Sequence, residues 1–197
     1  MAGSVLLASY TNKDIFFAIN THYNDTADTI MYYTSMIGEG EIIVLVLLAL
    51  LSLPRFRNWW YFLTALFCNI IPFFIEQLLK RVFNSPRPLI YLHNADWIHY
   101  VNKWPYLTER SFPSGHSAGA FSFFCFLSLL LPVKYRFLGL LFFLLAIAVC
   151  YSRIYLTAHF FSDVYAGSIL GTVITTFIFF IMTKYKNSLA AKKENAV

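Results

Sequence analysis

Residues 152–163, SRIYLTAHFFSD, separate two apolar runs, FLGLLFFLLAIAVCY at 137–151 and VYAGSILGTVITTFIFFIMT at 164–183. Apolar runs of this kind predict membrane helices, so the stretch is a short polar connection between two spans. It places Arg153, His159 and Asp163 at the edge of the apolar segments. If a helix begins near His159, Asp163 lies one turn further on and on the same face.

His159 and Asp163 therefore have the spacing of an imidazole oriented by a carboxylate. The carboxylate can hold one ring nitrogen and leave the other as a base or nucleophile, as in catalytic triads. Arg153 would supply fixed positive charge nearby. Such a cluster suits attack on an anionic centre such as phosphorus, because positioning and charge neutralisation carry most of that catalysis. For His159 alone, an interfacial histidine bonded to a carbonyl is the alternative interpretation.

The composition indicates the class of protein. Of the 197 residues, 58% are hydrophobic and 13% are charged, whereas about a quarter are charged in a typical soluble domain. We therefore expect an integral membrane protein with a single domain, residues 1–197. The net charge of +5 does not indicate a nucleic-acid partner, because much of it lies in loops where membrane topology explains it.

The apolar segments predict an all-α fold, a polytopic membrane helix bundle with five spans. The predicted spans lie near 41–53, 59–79, 112–132, 137–151 and 164–183. Residues 1–37 are apolar and aromatic but are interrupted by polar side chains. This pattern favours an amphipathic segment lying in the membrane interface, and a disordered terminus is the alternative. The domain then divides into an interfacial segment (1–37), a transmembrane core (38–183) and a basic tail (184–197).

The connecting segments predict the topology. PRFRNWW at 54–60, PVKYR at 132–136 and the tail are short and basic, so the positive-inside rule places them in the cytoplasm. Five spans then bring residues 80–112 and 152–162 to the opposite face. The polar residues expected to converge there are Lys80, Arg87, Ser114, His116, Arg153, His159 and Asp163.

Local features add to this convergence. Pro86 and Pro88 hold Arg87 on a stiff, extended backbone. Ser114 and Gly115 come where a helix begins, and the unpaired N–H groups of a helix N-terminus favour an anion. Glu76 precedes Lys80 by four residues, which predicts a helical ion pair with a structural role.

These residues form three blocks that resemble the signature of a known family. The blocks are Lys80 with Arg87-Pro88; Pro113-Ser114-Gly115-His116; and Ser152-Arg153 with His159 and Asp163. Together they resemble the type 2 phosphatidic acid phosphatase family of membrane lipid phosphatases, over residues 40–180. The N-terminal pattern IFFAIN resembles the small bacterial undecaprenyl-diphosphate phosphatases of that family. Members of that subgroup commonly have Pro-Ser-Asp-His and lack the first lysine, whereas this chain has Gly115 and Lys80.

The resemblance implies a role for each residue. His159 would attack phosphorus and form a phosphohistidine, oriented by Asp163, and His116 would protonate the leaving group. Binding of the phosphate oxygens would fall to Lys80, Arg87, Arg153, Ser114 and Gly115. No cofactor and no metal ion are expected, because a two-metal site needs several carboxylate or histidine ligands and the matched set has one carboxylate.

The predicted partner is a membrane lipid with a phosphate or diphosphate head group, and nothing indicates an obligate protein partner. Undecaprenyl diphosphate is the first choice of substrate. Phosphatidylglycerophosphate, phosphatidate and lipid A phosphates remain open, as do a phosphotransferase and a lipid-binding protein without activity. The same blocks also resemble vanadium-dependent haloperoxidases, but the five apolar spans argue against those soluble proteins. We expect the cell inner membrane, with the site on the periplasmic or extracellular face and a cytoplasmic C-terminus.

The rest of the 80–112 loop lacks such spacing. Its other charged residues are expected to be solvated, namely His93, His99, Lys103, Glu109 and Arg110. Its aromatic residues fit a belt at the membrane surface or a wall of the substrate entrance, namely Trp97, Tyr100, Trp104 and Tyr106.

Overall fold

The structure is a computed structural model that describes residues 2–93, 95–101, 104–105 and 107–194. All its regular elements in these ranges are helical, which confirms the all-α class. The α-helices are α1 (Ala2–Ser9), α2 (Asn12–Asn20), α3 (Asp25–Met36), α4 (Gly40–Ser52), α5 (Trp59–Phe83), α6 (Pro88–Tyr91), α7 (Gly115–Leu130), α8 (Leu138–Tyr155) and α9 (Phe161–Glu194). Short 3₁₀ turns at Pro54–Phe56 and Val133–Tyr135 join α4 to α5 and α7 to α8.

In the described part of the chain, helix length and composition support three candidate spans, against the five that were predicted. Among the described residues, Trp59–Tyr91, Leu138–Tyr155 and Phe161–Leu189 are long and apolar enough to cross a membrane. Helices α3 and α4 pass that test only as a pair, with a bend of 57° between them. Helix α7 is apolar but has 16 residues, about 24 Å, against a hydrocarbon core of about 30 Å. The five-span count is therefore not confirmed.

Helix α7 lies at the centre of the bundle and packs against α5, α8 and α9. Gly167 and Gly171 are one helical turn apart and let α9 approach α7 closely. A Cβ atom on Gly167 would lie 2.5 Å from the carbonyl oxygen of Ser114, and one on Gly171 would overlap the carbonyl oxygen of Ala118. This contact fixes the start of α7 beside the start of α9.

The two ends of the bundle differ in chemistry. At one end, the backbone N–H of Ser114 donates to the carbonyl of Asp163 at 3.0 Å, so α7 and α9 begin side by side. At the other end, Trp60 Nε1 donates to the carbonyl of Met182 at 2.9 Å, and the Lys186 ammonium lies 4.4 Å from the Trp60 ring. The basic turns are at this second end, so the polar connections and the basic turns are separated as predicted.

The N-terminal segment folds onto the polar end of the bundle. Phe16 of α2 is fully buried and contacts the rings of Trp97 and Phe160 edge-on. Asn20 is also buried, and its amide donates to the carbonyls of His99 and Tyr155, each at 3.0 Å. The segment is thus ordered and docked, and its position in the membrane interface stays a prediction. At the other terminus, α9 continues through the basic tail to Glu194.

The described residues of the 84–114 connection make contacts that the sequence did not indicate. The expectation that His99 is solvated is wrong, because its Nε2 lies 2.8 Å from Asp28 Oδ1 and its ring stacks on Tyr23. Trp104 is buried under the Arg153 guanidinium and is not part of an interfacial belt. Three residues are exposed, as expected: His93, Glu109 and Arg110. Lys103 and Tyr106 lie outside the described residues.

Candidate active site

His159 lies in the tight connection between α8 and α9. The backbone N–H groups of Ala158 and His159 both donate to the carbonyl of Arg153, at 3.0 and 3.2 Å, so the chain folds back over the end of α8. Helix α9 begins at Phe161, two residues later than the predicted start at His159. The predicted pairing still forms, because His159 Nδ1 lies 3.6 Å from Asp163 Oδ2.

Ser111 lies between these two side chains, and the sequence analysis missed it. Its hydroxyl donates to Asp163 Oδ2 at 2.5 Å, and its Oγ lies 3.4 Å from His159 Nδ1. Since the hydroxyl proton is used on the carboxylate, the oxygen can only accept from the ring, which puts the imidazole proton on Nδ1. Ser111 stands three residues before Ser114, and no spacing marks it as functional.

The other ring nitrogen of His159 faces Arg87. The distance from Arg87 Nη1 to His159 Nε2 is 3.4 Å. Because a guanidinium has no acceptor, this contact also requires an unprotonated Nε2. Arg87 is held by hydrogen bonds from Nε to the carbonyl of Glu109 (2.8 Å) and from Nη1 to the carbonyl of Ala158 (3.1 Å). Its backbone is extended, at φ −81° and ψ 163°, as the flanking prolines predicted.

Arg153, in the last turn of α8, is fully buried beside this pair. Its Nη1 donates to Ser35 Oγ at 2.5 Å, and its guanidinium carbon lies 4.5 Å from the centre of the Trp104 ring. Ser35 is the last-turn serine of α3 and is itself fully buried. The N-terminal segment therefore contributes to the site, which the sequence analysis did not predict.

The start of α7 meets the end of α5 at Gly115. Lys80 Nζ lies 2.6 Å from Glu76 Oε1, which confirms the predicted ion pair. A Cβ atom on Gly115 would lie 2.9 Å from that carboxylate oxygen and 3.4 Å from the ammonium, so a larger residue would displace the ion pair. Ser114 is the N-cap of α7, and its Oγ accepts from the hydroxyl of Ser117 at 2.9 Å.

His116 is in the first turn of α7 and is a quarter exposed. Its Nε2 lies 3.4 Å from Glu39 Oε1, at the bend between α3 and α4. The imidazole also interacts electrostatically with three basic side chains of the site, Arg153, Lys80 and Arg87. All eight residues singled out in the sequence therefore lie at one end of the bundle, around the starts of α7 and α9.

The charges around His159 act on its protonation. Burial lowers the pKa of the imidazole below its usual value, and the nearby charges of Arg87 and Arg153 act in the same direction. Asp163 opposes this effect. The ring is therefore neutral near pH 7, with its proton on Nδ1 and a free electron pair on Nε2.

A cavity of about 540 Å³ opens beside His116, between α4, α5 and α7. Its inner end is polar and is formed by Glu76, Gln77, Lys80, Gly115 and His116. The remainder is mostly apolar, with Ile43, Val44, Leu47, Leu66, Ile70 and Phe73 among its lining side chains. The arrangement can hold an anionic head group at one end and a hydrocarbon chain at the other.

Over the described ranges, no three His, Cys, Asp or Glu side chains come close enough to share a metal ion.

Comparison with known proteins identifies a matching family model and similar sequences. A sequence model of the PAP2 superfamily matches residues 58–187. The chain is 30% identical over 173 residues to the undecaprenyl-diphosphatase BcrC of Bacillus subtilis (strain 168), covering 86% of this chain and 82% of that protein. It is 27% identical over 168 residues to an undecaprenyl-diphosphatase of Sulfolobus acidocaldarius, covering 83% and 75%.

Two solved structures are similar in fold. The crystal structure of Aquifex aeolicus LpxE superposes with a TM-score of 0.70 at 26% identity, covering 86% of this chain and 95% of LpxE. The phosphatidylglycerolphosphate phosphatase of Bacillus subtilis superposes with a TM-score of 0.66 at 20% identity, covering 92% and 90%, and is evidence for the fold alone.

Proposed function

The chain belongs to the PAP2 superfamily, and from this premise we propose that it hydrolyses undecaprenyl diphosphate to undecaprenyl phosphate and phosphate through a phosphohistidine intermediate. It is a membrane-embedded phosphatase, as its apolar helices and its relatives indicate. The choice of substrate is supported by the two undecaprenyl-diphosphatases it resembles over most of their length. The phosphohistidine intermediate is supported by the protonation state of the His159 imidazole.

The observation that carries the proposal is the pair of contacts on the ring nitrogens of His159. Ser111 Oγ accepts from Nδ1–H, and Arg87 faces Nε2. Nε2 therefore presents its electron pair on the side of the Arg87 guanidinium, where the terminal phosphate would bind. Attack forms the N–P bond and breaks the bond from phosphorus to the bridging oxygen, which leaves with undecaprenyl phosphate.

The second half of the reaction removes the phosphate from His159. His116 donates a proton to the leaving oxygen in the first step and then accepts a proton from the attacking water. The water oxygen bonds to phosphorus as the N–P bond breaks, which releases phosphate and restores Nε2. Its position at the polar end of the cavity supports this role, because the leaving lipid lies on that side.

The phosphate oxygens would be held by fixed positive charge. Arg87 and Arg153 are buried and anchored by hydrogen bonds, so they need little rearrangement as charge develops. Lys80 approaches from α5, the Ser114 hydroxyl keeps its own proton to donate, and the backbone N–H of Gly115 is in the first turn of α7, where such groups have no intrahelical partner. The apolar part of the cavity would receive the start of the hydrocarbon chain.

The charge separation along the bundle supports an orientation. The basic turns and the basic end of α9 lie opposite the site, and basic segments favour the cytoplasmic side. We therefore place the site on the periplasmic or extracellular face of the cell inner membrane and the C-terminus in the cytoplasm.

A phosphate-release panel tests the proposal. Purified protein in detergent is offered undecaprenyl diphosphate, phosphatidylglycerophosphate, phosphatidate and a lipid A phosphate, each with and without EDTA. We expect the highest kcat/KM with undecaprenyl diphosphate and no effect of EDTA. A higher kcat/KM with another lipid would reassign the substrate, and loss of activity in EDTA would contradict the metal-independent mechanism. Transfer of phosphate to an added lipid alcohol would identify a phosphotransferase.

A further inference from the structure

The segment that joins α3 to α4 reaches the site from outside the residues that the PAP2 superfamily model matches. This segment contributes Glu39, which contacts His116, and the last turn of α3 just before it contributes Ser35, which accepts from Arg153. We propose that Glu39 is a positioning residue for His116, which orients the imidazole and favours its protonated form as the proton donor to the leaving group. This inference rests on the proposed function of His116.

The contact is built by the local backbone. Gly38 packs directly on α7 and α8, and a Cβ atom there would lie 3.1 Å from the carbonyl oxygen of His116 and 2.6 Å from Val149 Cγ1. Only glycine allows the chain this close, and the next residue is Glu39. The chain then bends by 57° between α3 and α4. The position of Glu39 is therefore fixed by packing.

The Glu39 carboxylate is free for this contact. Glu39 is the N-cap of α4, a position where acidic side chains often accept hydrogen bonds from the first turn. Here it makes no side-chain cap hydrogen bond, and its Oε1 lies 3.4 Å from His116 Nε2. Gly38 and Gly40 on either side line the cavity, and the Glu39 side chain is 39% exposed, so its carboxylate can exchange a proton with water.

The charges around His116 explain why a carboxylate is needed. From α8, α5 and the two connections, the imidazole faces Arg153, Lys80, Arg87 and the neutral His159. Glu76 is paired with Lys80. Burial and these cations oppose a proton on His116, although a general acid must carry one before the bond breaks. Glu39 supplies negative charge 3.4 Å from Nε2, and it also acts on Arg153.

How much the reaction needs a protonated His116 depends on the basicity of the leaving group. An alkoxide is a strongly basic leaving group and needs the proton as the bond breaks, whereas 4-nitrophenolate leaves without one. A residue that acts only through the protonation of His116 should therefore matter for alkyl phosphates and not for 4-nitrophenyl phosphate. A residue that only stabilises the fold should affect both alike.

The experiment compares Glu39→Gln with the wild-type protein on dodecyl phosphate and 4-nitrophenyl phosphate. We expect kcat for dodecyl phosphate to fall by about 10- to 100-fold, part of the 10²–10⁴-fold that general acid catalysis supplies, with KM unchanged. With 4-nitrophenyl phosphate kcat should change by less than about 3-fold. Glu39→Asp should recover part of the loss. Glu41→Gln is the matched control, because Glu41 is exposed in the first turn of the same helix.

The pH profile of kcat with dodecyl phosphate gives a second readout, and undecaprenyl diphosphate, whose leaving group is a weakly basic phosphate, is assayed with the wild-type protein alone. Because the carboxylate favours the protonated ring, its removal should move the basic limb of kcat to lower pH. Equal losses on both esters with an unmoved basic limb, or no loss at all, would overturn the inference and leave the proposed function standing. If the wild-type protein released phosphate from none of the three substrates, the proposed function itself would fail.

Discussion

The two histidines of the site are held in different ways. His159 is buried, and contacts on both ring nitrogens fix its orientation and its tautomer. His116 is a quarter exposed, lines the cavity and has one carboxylate within ion-pair distance. A nucleophile must present one electron pair in a fixed direction, whereas a proton donor must reach the leaving group and exchange protons with water. The difference in surroundings thus matches the difference in their proposed roles.

Removal of the nucleophile gives the largest expected effect. His159→Ala should lower kcat by at least about 10⁴-fold on every substrate, because no other group can form the covalent intermediate. Phosphate release from undecaprenyl diphosphate and from 4-nitrophenyl phosphate measures this. His22→Ala, at an exposed histidine between α2 and α3, is the control and should be fully active. Substantial residual activity on either substrate would assign the attack to another group.

Ser111→Ala tests the contacts that hold the buried ring. Loss of the hydroxyl leaves Asp163 as the remaining partner of Nδ1, at 3.6 Å, so the ring is less well oriented. We expect kcat to fall by about 30-fold with KM nearly unchanged, since the loss concerns the transition state. Ser9→Ala, at the exposed end of α1, is the control. An unchanged kcat would mean that Asp163 alone orients the imidazole.

The cavity on the side of His116 is tested by filling it. Leu66→Trp adds bulk to a lining residue and should raise KM for undecaprenyl diphosphate by about 10-fold, because the chain loses space. The KM for 4-nitrophenyl phosphate, which has no chain, should hardly change. Leu78→Trp is the matched control, on the same helix but outside the lining. Equal effects of the two variants would place the chain elsewhere.

The smallest expected effect is a lowered pKa of the His159 imidazole. Burial and the nearby arginines lower the pKa of His159, so the ring should stay neutral as the pH falls through 6.5, the value for an ordinary histidine. NMR of ¹³C-histidine protein measures this, with the resonance assigned by its absence in His159→Ala. A midpoint at or above 6.5 would contradict the account of the charges.

The predictable part of the site came from residues whose position follows from helix ends. Lys80, Ser114 and Arg153 mark the boundaries of apolar runs, and alternating helix directions bring those boundaries together. Ser35, Glu39 and Ser111 were missed because no periodicity marks them. Ser35 reaches Arg153 across 118 positions of the chain, and this contact depends on the packing of α3 against α8. A contact between residues this far apart in the chain cannot be inferred from local sequence patterns.

The fold was predictable to a similar degree. Composition was sufficient for the all-α class and for the location of the apolar helices. The number of spans was not, because α4 and α7 are apolar but short and hydropathy does not set where a helix stops. The order of residues 1–37 also depends on tertiary contacts, chiefly Phe16 and Asn20 with distant segments.

The most direct test of the account is to trap the phosphoenzyme. Undecaprenyl diphosphate labelled in its terminal phosphate is mixed with the protein, the reaction is stopped in alkali within milliseconds, and the peptides are analysed by mass spectrometry. The account predicts a phosphate on His159 that is stable in alkali and lost in acid, in proportion to the enzyme present. Turnover with no labelled protein at any time, or a label on another residue, would contradict it.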